Sequence, residues 1–126
     1  MFIPDFNKIN QNYIVDVILD NSVVCSFEGE SLEEVVSTYM LFEEEFFDFK
    51  FTKKEKELRL ENAKLIIKLK ETNDLTLFNL LVEVNKDLQA SYINSGFDRV
   101  RREAALNYFI EESDEEEGGD INDLNI

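Results

Sequence analysis

The sequence predicts an α+β fold: an N-terminal β-hairpin packed on three to four α-helices, followed by a disordered acidic tail. Three observations carry that expectation. A β-branched stretch with period-two alternation opens the chain, two capping boxes each introduce a long segment with helical spacing, and the last sixteen residues hold eight acids and no base.

Tyr13-Ile-Val-Asp-Val-Ile-Leu19 is the first element, with Tyr13, Val15, Val17 and Leu19 forming one apolar face. Asp20-Asn21 supplies the turn. Val23, Cys25 and Phe27 alternate on the returning strand, which Gly29 closes. Ser31-Leu-Glu-Glu34 then has the form of a capping box, because a Ser side chain accepts from first-turn amides while a Glu three residues on reaches back. The helix it starts places Leu32, Val35, Val36, Tyr39, Phe42 and Phe46 on one side and directs Glu43 and Glu44 largely toward solvent. Phe47, Phe49 and Phe51 alternate with Asp48 and Lys50, which is the pattern of a short third strand as well as of a helix end. A third strand would help, since two strands alone are marginal in water.

Thr52-Lys-Lys-Glu55 is a second capping box. Helix is expected from there to Lys70, with Leu58, Leu65, Ile66 and Leu69 as the buried set. Thr72 to Asp74 is a break. Leu77, Leu81, Val84, Leu88 and Tyr92 resume helical spacing up to Ser95-Gly96, which reads either as a C-cap or as a weak point in one longer helix, and Phe97, Val100, Ala104 and Tyr108 carry the last stripe. Residues 1–110 therefore read as a single compact domain. Residues 111–126, EESDEEEGGDINDLNI, bury too little apolar surface to offset their ordering entropy and are expected to be disordered.

Composition excludes much chemistry. With no histidine, the commonest general base is missing, together with Ser-His and Cys-His nucleophile pairs. One cysteine, Cys25, cannot form an internal disulfide and fits a reducing compartment. Four glycines at 29, 96, 118 and 119 form no phosphate loop. The tail imitates a calcium loop from Asp114, but its twelfth position is Asn125 where a bidentate Glu is needed. No catalytic residue, metal site or cofactor is expected, and the chain is read as non-catalytic. It has neither a basic n-region nor an apolar run near the ~20 residues that span a bilayer, so a cytoplasmic protein without a membrane partner is expected.

Charge narrows the partner. The formal charge is −15, and without the tail's eight acids the body still holds 20 acids against 13 bases. Such a surface disfavours nucleic acid and anionic membranes and favours basic proteins. Glu28, Glu30, Glu33, Glu34, Glu43, Glu44 and Glu45 make one acidic region. Asp114, Glu115, Glu116 and Glu117 make another, followed by a tip with Ile121, Leu124 and Ile126. The leading expectation is a regulator or inhibitor that docks on a basic, nucleic-acid-handling protein, its carboxylates standing where phosphates would. Small acidic inhibitors carried by viruses or mobile elements fit that description by analogy.

The alternative is a nucleic-acid accessory protein. It would use Lys53, Lys54, Lys56, Arg59, Lys64 and Lys68 on one helix with Arg99, Arg101 and Arg102, and the tail would be its autoinhibitor. A third possibility is an assembly protein that forms homo-oligomers through the hairpin and the Phe42–Phe51 cluster.

Overall fold

In the computed structural model the backbone is described for residues 1–124 and the side chains for residues 1–110. Three strands, β1 (Ile3–Ile9), β2 (Asn12–Leu19) and β3 (Ser22–Gly29), form an antiparallel meander in the order β1-β2-β3. Four helices follow: α1 (Leu32–Phe47), α2 (Lys53–Thr72), α3 (Thr76–Ser95) and α4 (Phe97–Leu124). This is the expected α+β architecture. The tail expected over 111–126 lies outside the described side chains.

The hairpin turn is tight because Asp20 and Asn21 both take positive φ, 51° and 64°, as a type I′ turn requires. Register then puts Phe6, Val15 and Phe27 in one cross-strand row, and Pro4, Val17 and Cys25 in the next, all on the face that the helices cover. The other face carries Ile3, Ile18 and Val23 in one row and Asp5, Asp16 and Ser26 in another. α1 packs across β2 and β3, whereas α2 packs against β1, α1 and α3.

The third strand is β1, not Phe47–Phe51. α1 stops because Asp48 adopts the left-handed conformation (φ 51°) and its N–H bonds the Glu44 carbonyl. Phe49 to Phe51 then run as irregular chain into the core. Their alternation reflects a cluster of rings around Phe97, whose centroid lies 5.3, 5.1, 4.6 and 4.8 Å from those of Phe47, Phe49, Phe51 and Tyr92. Phe46, expected on the buried stripe, is 48% exposed.

α2 starts at the expected capping box: Thr52 Oγ1 accepts from the Glu55 N–H and Glu55 Oε1 accepts from the Thr52 N–H. Its buried line is not the leucine set, however. Leu58, Leu65, Ile66 and Leu69 are half-buried, and the fully covered residues are Glu55, Arg59, Asn62, Ala63 and Ile67. With neighbours on two sides, α2 buries the line between its two apolar edges, and three of the five residues on that line are polar.

Candidate functional site

Two charged regions stand out, one sealed inside the helices and one spread over a flank of the molecule. In the sealed region, Arg59 Nη2 bonds Glu43 Oε1 at 2.9 Å. The guanidinium lies between the rings of Tyr39 and Tyr92, 5.6 and 5.7 Å from their centroids, in cation–π range. Glu55 uses its second oxygen to accept from Ser95 Oγ at 2.7 Å, tying α2 to the end of α3. Glu44 Oε2 accepts from the Phe51 N–H at 2.8 Å and so holds the chain that leaves α1.

Glu43 and Glu44 are thus buried, at 3% and 7% exposure, and this corrects the expectation that they face solvent and belong to a docking surface. The cause is helical geometry: Val36, Met40, Glu43 and Phe47 lie on the same side as the predicted stripe, so the covered arc of α1 is wide enough to take them in. Arg59 is likewise removed from the basic stripe. Burial works against its charge, but the Glu43 carboxylate together with the Tyr92 and Tyr39 hydroxyls outweighs it, and the net shift is upward. Burial, reinforced by Glu43, pushes the Tyr39 hydroxyl far above its ordinary range; burial pushes Tyr92 up to about 12 against the opposing pull of Arg59. The cluster ties α1, α2 and α3 together and is largely shielded from solvent.

The remaining cations of the alternative site are dispersed. Lys64 lies 3.8 Å from Glu33, Arg102 is 2.7 Å from Asp98, and Arg101 reaches Gln89 and Asp98 while stacking over Tyr92 and Phe97. Lys53, Lys54, Lys56, Lys68 and Arg99 are exposed, but on α2 the exposed arc also carries Glu57, Glu61 and Glu71. Arg99 to Arg102 sit at the start of α4 around a buried acid, Asp98.

The flank is different. Between Lys8 and Lys50 the sequence contains no lysine or arginine and ten acids, so β2, β3 and α1 are built without a base. Because α1 covers β2 and β3, these residues are also together in space. Glu28, Glu30, Glu33 and Glu34 are all exposed where β3 passes into α1, and Lys64 is the only cation in an ion pair with them among the described residues. The Glu34 carboxyl folds back over Gly29, where an added Cβ would lie 3.1 Å from it. Ser31 Oγ accepts from the Glu34 N–H, and acids in this first turn sit favourably at the helix N-terminus. Glu45 is exposed at the other end of α1. Asp114 to Glu117, Ile121, Leu124 and Ile126 lie outside the described side chains. The base-free interval is visible in the sequence, but only the packing of α1 on β2 and β3 makes it a surface.

One groove opens between α1 and α2. It encloses about 480 Å³, is walled by Val36, Met40, Leu41 and Leu60, and has both Lys53 and Glu57 at its lining. Among the described residues no three acidic or cysteine side chains converge as a metal ion would need, and no helix is long and apolar enough to cross a membrane. Comparison with known proteins gives no match: no family model fits the chain, and no curated protein or solved structure is significantly similar to it.

Proposed function

We propose that this protein is a non-catalytic regulator that docks its base-free flank on a basic protein, one whose own surface handles nucleic acid. The observation that carries the proposal is the segregation of charge. Among the described residues, β2, β3 and α1 offer exposed carboxylates with one cation paired to them, whereas Arg59, Arg101 and Arg102 are engaged with acids of their own. A protein surface shaped to neutralise phosphates offers the complementary field, and such complementarity acts mainly by speeding and orienting encounter. The Tyr108 hydroxyl donates to Asp20 at the β2–β3 turn, so the chain enters its acidic tail from beside the same flank.

The test compares three proteins in the native host lysate: the full chain, a Glu28/Glu30/Glu33/Glu34→Gln variant, and a 1–110 truncation. Each is used at low and high salt, with and without nuclease. The expected outcome is a basic protein held by the full chain, with an association rate for the purified pair that falls roughly tenfold or more in the Gln variant at low salt. The truncation should weaken the complex further. Recovery of nucleic acid without nuclease, stronger with the truncated form, would overturn the proposal in favour of an autoinhibited nucleic-acid-binding protein.

A further inference from the structure

We infer that the partner enters as an extended basic segment that pairs with the free edge of β3 as a fourth strand; this inference rests on the acidic docking proposed above. The sheet has two edges, and they are treated differently. On β1, Pro4 has no N–H to offer, and Lys70 from α2 spans the strand: its Nζ donates to the Phe6 carbonyl at 2.9 Å and to Asn7 Oδ1 at 3.0 Å, and lies 2.6 Å from Asp5 Oδ1. That edge is blocked. β3 has only β2 beside it among the described residues, so alternate residues turn both backbone groups outward with no ladder partner.

Over Cys25–Gly29, β3 also lacks the usual defences of an edge. It has no lysine and no proline, and its side chains are small or apolar: Ser22, Val23, Val24, Cys25, Ser26 and Phe27 before Glu28 and Gly29. The register irregularity opposite Val17/Ile18 leaves Val24 without a partner on β2 and twists that end. The regular stretch Cys25–Gly29 is therefore the length available for pairing.

The two faces of the sheet state what the new strand would carry. On the outer face Ser26 neighbours Asp16, whose carboxylate it bonds at 2.6 Å, and Glu28 is exposed beyond it. Lysine or arginine at those positions would lie beside carboxylates, and the base in that row, Lys70, is held at Asp5 on β1. On the covered face Phe27 is half-buried against Phe42, their centroids 5.7 Å apart, so an apolar residue there would extend the core over α1. The occupant is thus a segment in which basic and apolar residues alternate. A second copy of this chain fits poorly, since each carries a formal charge of −15 and would bring its own Glu28 to the same seam.

The probe is a short peptide of alternating lysine and valine, compared with the same peptide N-methylated at every second residue, which keeps the charge and removes the ladder donors. Amide hydrogen exchange and chemical shifts of the full-length protein are followed in titration with each. The expected result is that the outward amides within Cys25–Gly29 exchange at least about tenfold more slowly with the parent peptide, and that methylation weakens binding by about tenfold or more. Equal binding of both peptides, with shifts confined to Glu28–Glu34, would overturn strand addition and leave acidic docking standing. Binding of neither at low salt would overturn both. Protection of β3 that appears without peptide as protein concentration rises would assign the edge to a second copy and overturn the inference.

Discussion

Replacing Arg59 with alanine strands the Glu43 carboxylate at 3% exposure with no counter-charge and leaves a cavity between Tyr39 and Tyr92. Breaking a buried pair in this way costs on the order of 3–5 kcal/mol, and urea unfolding should read a loss of that size. The double replacement Glu43→Leu with Arg59→Met should recover most of it, because no buried charge remains. Asp98 gives a second expectation. The Gln89 side chain that donates to it, helped by Arg102 and Arg101, holds its carboxyl below the usual carboxylate range. A depressed folded pKa contributes stability that is present above the unfolded value, about 4, and is lost as pH falls through the lower folded one. Asp98→Asn should therefore show a shallower loss of stability than the parent below about pH 4, followed by thermal melts across that range. Neither residue was legible as a core group in the sequence. Glu and Arg are rarely buried unless paired, and the partner of Glu43 lies sixteen positions away, beyond any local pattern.

The elements were legible where local chemistry alone decides them. Both helix starts follow from a side-chain cap within four residues, and Thr52→Ala should cost about 1 kcal/mol, measured by the shift in the unfolding midpoint. The β2–β3 hairpin follows from alternation on both sides of a two-residue turn. β1 was missed because a single side chain in it, Phe6, is fully buried; Pro4, Asp5, Asn7 and Lys8 break any apolar alternation, and Ile3 and Ile9 at its ends are exposed. Phe47–Phe51 misled for the opposite reason. Rings at every second position satisfied a strand pattern, although here they fill three sides of one cluster around Phe97. The buried line of α2 was misplaced because the helix has two packed flanks, and helical periodicity identifies one centre line only when one flank is covered.

Across the whole molecule acids outnumber bases, but α2 reverses that balance, and β2, β3 and α1 are built without a base. The expected acidic surface survives in changed form: Glu43 and Glu44 leave it, and Glu28, Glu30, Glu33 and Glu34 remain at the junction of β3 and α1. The sequence already contained the interval from Lys8 to Lys50. What it did not contain was the arrangement that sets α1 on β2 and β3, with β1 and α2 along their borders, and so turns an interval into a flank.

That arrangement also decides what common reagents can see. Trypsin has no site between Lys8 and Lys50, so β2, β3 and α1 would leave a complete digest together as one fragment, residues 9–50. Amine-reactive cross-linkers would join α2, or α3 through Lys86, to a neighbour while finding no lysine on β2, β3 or α1. Carboxyl-directed coupling does the reverse, and through Glu28, Glu30, Glu33 and Glu34 it would join the flank to the lysines of whatever rests on it.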